Sequence, residues 1–343
     1  MKKLIFTLAL TGMVFSPQLL ATDAKPYAIA IHGGAGTIKP SSMTDEQQKA
    51  YRAKLKQAVD AGYDILEQGG TSLDAVKTAI NVLENTPYFN AGVGSVYTFD
   101  GGHELDASIM DGKSMNAGAV SGVKHIKNPI DLAISVMHKS PHVMLYGQGA
   151  EEFALTQGYQ LVPNTHFDTP HRYAQLLDAK QKIIQREQKN GDYQASVNSL
   201  KDEYKFGTVG AVALDKSGNL VAGTSTGGMT AKRFNRIGDS PVIGAGTYAE
   251  NGVCAVSATG HGEYFIRYQV AGDICAKVKY QQKSIAKAAD EVINQTLVEA
   301  GGTGGVITVD HKGNIAMPFN TGGMYRASRA HGEQAKVMIW KDK

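Results

Sequence analysis

The stretch Gly207–Leu214, with the sequence GTVGAVAL, decides the fold because it predicts a buried strand that opens just after a glycine. A turn of sequence DKSG follows, and the chain returns over 219–223, which is typical of a β-hairpin. The same pattern recurs near the C-terminus, where 305–309 and 314–318 flank the turn DHKG. This recurrence indicates repeated supersecondary structure but not a solenoid, which needs more stacked copies.

Elsewhere the chain alternates predicted helices with short strands. Thr44 and Gln47 form a capping box for a helix that ends at Gly69, and Asn128 is expected to cap a helix that begins at Pro129. Further helices are predicted from Ser72 and at 172–188, 263–277 and 284–300, and strands at 27–31, 117–123, 242–246 and 253–258. Residues 33–36 are expected to form a tight turn, and 189–205 an exposed linker. Hairpins with segregated helices predict an α+β fold, with antiparallel sheets inside and helices outside.

Composition excludes several classes of protein. Of the 343 residues, 42% are hydrophobic and 20% charged, and the formal net charge is +3. This balance argues against a disordered acidic chain and against a dedicated nucleic-acid binder. Cys254 and Cys275 are too few for a disulfide framework or a cysteine zinc site, and their spacing does not establish whether they pair.

Residues 1–21 resemble a secretory signal peptide rather than part of the fold. Lys2 and Lys3 precede the apolar run Leu4–Phe15, and Leu19–Ala21 offers small residues for cleavage. No later apolar run reaches membrane length. We therefore expect an exported protein, periplasmic in a Gram-negative bacterium, with no membrane association once the signal is removed. Export would let the two cysteines oxidise to one disulfide.

Two catalytic patterns have only weak support in the sequence, a serine-hydrolase motif and a zinc site. Ser225 lies in a G-x-S-x-G motif, and Asp239, Asp310 and His331 follow it in an order that a serine hydrolase permits. That motif requires a strand, a sharp turn and a helix, but 228–236 has no helical apolar stripe. The chain has no H-E-x-x-H motif, so no catalytic zinc is expected. Most of the ten histidines are expected at the surface or in turns.

Thr208 is a stronger candidate nucleophile because of its context. A threonine hydroxyl needs a base, and its own α-amino group can serve if the bond before it is cut. The pKa of a free α-amino group is about 7.7–8.0, so it accepts a proton near neutral pH. Gly207 tolerates the strained backbone that such a cut uses.

Several stretches in one order resemble the plant-type isoaspartyl peptidase/L-asparaginase family of N-terminal-nucleophile hydrolases. The resemblance covers nearly the whole chain after residue 21. The stretches are IHGGAG at 31–36, FNAGVG at 89–94, ELDA at 104–107, MDG at 110–112, GTVGAVA at 207–213, TSTGGMT at 224–230, RIGDSP at 236–241 and TGHGE at 259–263.

The resemblance implies a four-layer αββα sandwich and a precursor that cuts itself between Gly207 and Thr208. The products are an α subunit of residues 22–207 and a β subunit of 208–343, which associate as dimers of αβ units. Thr208 attacks the side-chain amide of L-asparagine or of a β-aspartyl dipeptide, and water then releases aspartate. No organic cofactor is implied.

The resemblance also assigns roles to site residues. Thr259 and Gly260 match the oxyanion position, and Arg236 and Asp239 match a clamp for the substrate's α-carboxylate and α-ammonium. The remaining matches are Thr226 and Thr230 as hydroxyls beside the nucleophile, Gly262 as a backbone contact to substrate and Asn90 as a supporting residue. A structural sodium ion would be bound by the backbone carbonyls of Leu83, Glu84, Thr86, Phe89, Ala91 and Val93.

One position departs from the family pattern. His261 stands where many relatives carry a small hydroxyl residue, which affects the expected substrate preference and pH dependence. Two alternatives remain open at this stage. A glycosylasparaginase usually has His-Asp before its nucleophile, whereas Phe206 and Gly207 precede Thr208 here. A non-catalytic exported binding protein of the same fold is the other.

Overall fold

The structure is a computed structural model that describes residues 25–198 and 207–341. The signal-peptide prediction for 1–21 lies outside the described residues. The strands are β1 (Ala28–Gly36), β2 (Leu105–Asp111), β3 (Ala117–Val123), β4 (Met144–Tyr146), β5 (Val209–Leu214), β6 (Leu220–Thr226), β7 (Thr247–Glu250), β8 (Cys254–Gly260), β9 (Gly304–Asp310), β10 (Ile315–Ala316), β11 (Gly323–Ala330) and β12 (Lys336–Met338).

Helices connect and cover these strands. They are α1 (Asp45–Glu67), α2 (Ser72–Glu84), α3 (Pro129–Lys139), α4 (Gly147–Thr156), α5 (Pro170–Asn190), α6 (Tyr193–Asn198), α7 (Gly262–Arg267), α8 (Val270–Gln281), α9 (Ile285–Glu291) and α10 (Leu297–Ala300). A π-helical turn, Val292–Thr296, joins α9 to α10. Among the described residues, no helix is both long enough and apolar enough to cross a bilayer.

Within the described ranges the strands form two sheets. One sheet has eight strands in the order β12-β11-β1-β5-β6-β2-β3-β4, and the other has four in the order β10-β9-β8-β7. Every pairing between these strands is antiparallel except that of β3 with β4. The predicted α+β class with antiparallel sheets is therefore confirmed.

Alternating side chains of the central strands enter two different cores. On β1, Ile29 and Ile31 pack with residues of α1, α2 and α3, whereas Ala28 and Ala30 face the small sheet. The small sheet uses the same alternation, because Val256 of β8 packs with residues of α8 and α9 on its outer side. The strands that surround Gly207 and Thr208 are thus buried on both faces.

Several local predictions were wrong. The strand predicted at 242–246 is displaced, because that segment forms turns and β7 begins only at Thr247. The segment 33–36 is not a turn, because β1 continues through it with a register irregularity between His32 and Ala35, where Gly34 has φ +110°. The Asn128 side chain does not cap α3 and instead donates to Glu84 Oε2 at 2.9 Å. The predicted linker contains α6, while 199–206 lie outside the described residues.

The repeated hairpin is confirmed and depends on the same aspartate geometry in both copies. Asp215 Oδ1 accepts from the Ser217 and Asn219 amides at 2.8 and 3.0 Å. Asp310 Oδ1 accepts from the amides of Lys312 and Asn314 at 2.8 and 2.9 Å. A carboxylate that satisfies successive turn amides favours a tight connection between strands. Asp310 thus has a structural role in its turn.

Cys254 on β8 and Cys275 on α8 form a disulfide, with their Cα atoms 5.7 Å apart. The bond closes a loop with a sequence separation of 21 residues. It fastens α8 to the outer face of the small sheet.

Removing this disulfide should destabilise the fold. Loop-closure entropy predicts that a Cys254→Ala/Cys275→Ala double variant loses about 3 kcal/mol of unfolding free energy. Urea unfolding of the oxidised parent and of the variant measures the difference. A reducing agent should destabilise the parent and leave the double variant unaffected. Equal unfolding midpoints for parent and variant would contradict the prediction.

Candidate active site

Thr208 lies directly before β5, between β1 and β6 in the large sheet, and its side chain is buried. Its hydroxyl is 2.7 Å from the carbonyl oxygen of Gly207 and 3.1 Å from Thr226 Oγ1. Thr226 ends β6, so the hairpin that the sequence predicts brings these two hydroxyls together.

The Gly207 carbonyl is held by donors from two other segments. Asn90 Nδ2 donates to it at 2.8 Å and Thr226 Oγ1 at 3.0 Å. Asn90 is itself fixed, because Nδ2 also donates to the Gly228 carbonyl and Oδ1 accepts from the Val96 amide. Gly207 has φ +145°, and a Cβ there would lie 2.8 Å from Asn90 Cβ. Only glycine fits this conformation and this space.

His32 on β1 holds the backbone of Thr208 from the other side, a contact that the sequence analysis missed. Its Nδ1 donates to the Thr208 carbonyl at 3.0 Å, and its Nε2 accepts from Ser257 Oγ at 3.0 Å. Burial lowers the pKa of His32 to about 3, so the ring is neutral and keeps its proton on Nδ1. His32 is an exception to the expectation that most histidines lie at the surface or in turns, and its position within an apolar strand was the available signal.

The buried histidine should make folding pH-dependent. The folded state excludes a proton that the unfolded state binds below about pH 6.5, so stability falls as pH drops from 7 towards 3. Between pH 7 and pH 5 the loss from His32 is about 2 kcal/mol. Urea unfolding of an uncut Thr208→Ala chain, with and without His32→Gln, measures it. The His32→Gln chain should lose less stability over this range, and equal losses would refute the assignment.

A small pocket opens beside Thr208, and the space inside it is about 220 Å³ when open solvent is included. Its lining includes six of the predicted site residues, namely Gly207, Thr208, Thr226, Arg236, Asp239 and Gly260. Asp239 is buried, and its Oδ2 has no hydrogen-bond partner among the described residues. Burial raises the pKa of Asp239 to about 7, although the nearby Arg236 guanidinium acts in the opposite direction. An orphaned buried carboxylate oxygen of this kind is suited to a cationic ligand.

The Arg236 guanidinium already pairs with a carboxylate of the protein, although a substrate clamp was expected to leave it open. Its Nε and Nη2 each donate to one oxygen of Glu263 at 2.9 Å, in a bidentate pair. His261 Nε2 lies 3.3 Å from the same carboxylate, at Oε2. Gly262 is adjacent to both Arg236 and Asp239, since a Cβ there would be 2.9 Å from Arg236 Nη2 and from Asp239 Oδ1. An incoming carboxylate therefore has to share or displace Glu263.

The other predicted residues lie around this pocket. Thr259, at the end of β8, is fully buried, and its Oγ1 accepts from the Ala35 amide at 3.3 Å. Thr230 is also buried, and its Oγ1 has no hydrogen-bond partner among the described residues. Neither side chain lines the small pocket, whereas Gly260, the neighbour of Thr259, does.

Comparison with known proteins agrees with this geometry. The sequence pattern of the asparaginase family matches residues 25–339. The chain belongs to the asparaginase family. It is 49% identical over 314 residues to an isoaspartyl peptidase of Salmonella typhimurium. The aligned residues make up 92% of this chain and 98% of the relative. The Escherichia coli isoaspartyl peptidase is 48% identical over 315 residues, 92% of this chain and 96% of the relative.

The chain is also similar to an animal protein, at lower identity. The isoaspartyl peptidase/L-asparaginase of Mus musculus is 40% identical over 322 residues, 94% of this chain and 93% of the relative. The family membership that the sequence motifs indicated is thus confirmed. The asparaginase-family chain is an enzyme of the hydrolase class.

The serine-nucleophile interpretation is wrong for this asparaginase-family chain. Ser225 is fully buried on β6, and its hydroxyl donates to Glu84 Oε1 at 2.6 Å. It lies on the strand face opposite to that of Thr226, because side chains alternate. His331 instead packs its ring against Tyr27. No serine triad is assembled among these described residues.

The loop after α2 in the asparaginase-family chain is folded tightly around its own carbonyl oxygens. A Cβ on Gly92 would lie 2.2 Å from the Glu84 carbonyl oxygen, and one on Gly94 would lie 2.0 Å from that of Phe89. Thr86 Oγ1 is buried without a hydrogen-bond partner in the described chain. Backbone carbonyl oxygens are hard donors of the kind that a sodium ion takes. Within the described ranges, no cluster of three His, Cys, Asp or Glu side chains is placed to bind a metal.

Proposed function

We propose that this hydrolase cleaves itself before Thr208 and then hydrolyses β-aspartyl dipeptides and L-asparagine to release L-aspartate. The observation that carries the proposal is the Thr208 hydroxyl, 2.7 Å from the Gly207 carbonyl oxygen and beside a pocket that holds Arg236 and Asp239. The printed names of the relatives support the substrate class.

Self-cleavage begins when Thr208 Oγ attacks the carbonyl carbon of Gly207. The bond from that carbon to the Thr208 nitrogen breaks, the proton moves from the hydroxyl to the nitrogen, and an ester remains. Asn90 and Thr226 donate to the carbonyl oxygen, so they stabilise the negative charge that develops on it. Water then hydrolyses the ester and leaves subunits 22–207 and 208–343.

In the mature enzyme the free α-amine of Thr208 accepts the proton of its own hydroxyl. The Oγ attacks the side-chain amide carbon of the substrate, and Thr259 with the Gly260 amide stabilises the oxyanion. The carbon–nitrogen bond breaks, and the departing amine takes the proton. Water hydrolyses the β-aspartyl ester, and aspartate leaves.

Substrate recognition uses the charges at the far end of the pocket. Asp239 pairs with the α-ammonium group, and Arg236 binds the α-carboxylate, with the Gly262 backbone beside both. Glu263 holds Arg236 in place before substrate arrives. From the family resemblance, Thr230 supplies a hydroxyl close to the nucleophile Thr208.

The same proposal extends to the assembly and its setting. The stacking of helices on the outer faces of two packed sheets supports the αββα sandwich, and dimers of αβ units are proposed from the family. A structural sodium ion would be held by the carbonyls of Leu83, Glu84, Thr86, Phe89, Ala91 and Val93, steadying the loop that carries Asn90. The disulfide supports export to an oxidising compartment such as the periplasm.

The test combines mass and activity. After incubation at neutral pH, the purified protein should give two fragments, one with Thr208 at its N-terminus. It should hydrolyse β-aspartyl-leucine and L-asparagine faster than N-acetylglucosaminyl-asparagine, which a glycosylasparaginase would prefer. An uncut chain that is active refutes the N-terminal mechanism, and an uncut inactive chain favours a binding protein.

A further inference from the structure

A second, larger pocket meets the first at the Gly207–Thr208 bond. The space inside it is about 900 Å³ when open solvent is included, and Gly207 lines both pockets. Gly34 lies on its floor, where a Cβ would be 3.1 Å from Gly207 Cα and 3.4 Å from the Thr208 nitrogen. The larger pocket therefore reaches the bond at which the nucleophile acts.

One wall of this pocket is aromatic. Tyr51 and Tyr325 stack with ring centroids 4.6 Å apart, and Tyr88 and Phe89 pack against Tyr51 at 5.1 and 5.6 Å. Phe89 is buried, while the three tyrosines are half-buried and line the space. Such a wall favours an apolar side chain.

The lining of the pocket also includes Arg172, a cation with no counter-ion among the described residues. Arg172, at the start of α5, donates from Nε to the Gly94 carbonyl at 2.8 Å and from Nη1 to Gln175 Oε1 at 2.9 Å. Among the described residues no carboxylate pairs with it, and the groups that influence its pKa electrostatically are Tyr51 and Tyr325. A guanidinium fixed by neutral partners beside an open pocket is suited to an anionic group.

In this proposal each pocket receives one of the two products, the aspartyl half in the small pocket and the leaving amine in the large one. The charged groups for the aspartyl half lie in the small pocket, so the departing amine has to leave on the other side of the scissile bond. We propose that the large pocket binds the leaving residue of a β-aspartyl dipeptide, with Arg172 on its α-carboxylate and the aromatic wall against an apolar side chain. This inference rests on the proposed function and specifies its preferred substrate. L-Asparagine releases only ammonia and makes neither contact.

The wild-type enzyme gives the first test through its substrates. All β-aspartyl substrates form the same ester on Thr208, so the leaving residue acts on acylation and is read from kcat/KM. We expect β-aspartyl-leucine to exceed β-aspartyl-leucinamide, which lacks the carboxylate, by about tenfold or more in kcat/KM. Equal values for acid and amide would overturn the subsite.

An arginine variant gives the second test. Arg172→Met should lower the ratio of kcat/KM for β-aspartyl-leucine to that for L-asparagine by about tenfold or more, and should abolish the preference for acid over amide. The matched control is Arg186→Met, since Arg186 is exposed on the same helix, and it should leave both ratios unchanged. An equal loss on all three substrates would mean a structural role and overturn the proposal.

Failure of the function is distinguishable from failure of the subsite. If the wild-type chain hydrolyses none of the three substrates, the proposed function is wrong and the subsite falls with it. If it hydrolyses them without regard to the leaving residue, only the subsite is wrong. Should Arg172→Met fail to fold or to cleave itself, the wild-type comparison of acid and amide decides.

Discussion

Thr208→Ala should yield a single uncut chain with hydrolytic activity reduced at least about 10³-fold. Alanine removes the hydroxyl that lies 2.7 Å from the Gly207 carbonyl oxygen, so neither the precursor bond nor a substrate amide can be attacked. The blocked cut also withholds the α-amine that serves as base. Intact mass and assays on β-aspartyl-leucine measure both effects.

Two controls separate this loss from misfolding. Thr208→Ser keeps a hydroxyl and should still cut itself. Ser225→Ala removes a hydroxyl that donates to Glu84 and should leave cutting intact. The assignment fails if Thr208→Ala matures normally, or if Ser225→Ala alone blocks hydrolysis.

Asp239→Asn should lower kcat/KM for L-asparagine about 10²- to 10³-fold at pH 8, because it removes the buried partner of the α-ammonium group. Burial raises the pKa of Asp239 to about 7, so the carboxyl loses its charge as pH falls through 7. A protonated carboxyl and an amide are both neutral. The ratio of wild-type to variant kcat/KM should therefore shrink between pH 8 and pH 6.

A substrate without the ammonium group provides the control. Succinamate has the same amide and carboxylate, so Asp239→Asn should narrow the preference of the enzyme for L-asparagine over succinamate. Both enzymes carry the same Thr208 amine, so the effect of its titration on activity divides out of the ratio of wild-type to variant kcat/KM. A ratio that is constant with pH, or an unchanged preference, would argue against this role for Asp239.

Local sequence patterns predicted what is determined locally. The paired hairpins follow from strand periodicity and from aspartates that bond to turn amides. The contact between the Thr208 and Thr226 hydroxyls was expected only from the family resemblance. Asn90, Arg236 and Asp239 were found only through the family resemblance, because nothing in their own segments indicates that they converge.

What the sequence failed to predict depends on partners distant along the chain. Asn128 has the right residue type and position for a helix cap, but its side chain donates a hydrogen bond to the buried Glu84 carboxylate instead. The Arg236 guanidinium was expected to be open for the substrate carboxylate, but Glu263, 27 positions later in the chain, pairs with it. The large pocket joins β1, α1, the loop after α2, α5 and β11, so no local pattern could have indicated it.

The position of β1 has a consequence for the matured protein. This strand belongs to the N-terminal portion, yet it pairs on one side with β5 and on the other with β11, both from the portion after Gly207. A nick before Thr208 therefore produces a split protein whose halves are interlaced through a shared sheet. The disulfide joins two residues of the same half, so it contributes nothing to holding the halves together. The fragments should comigrate in native conditions, oxidised or reduced, and recombine after denaturation only by rebuilding the sheet together.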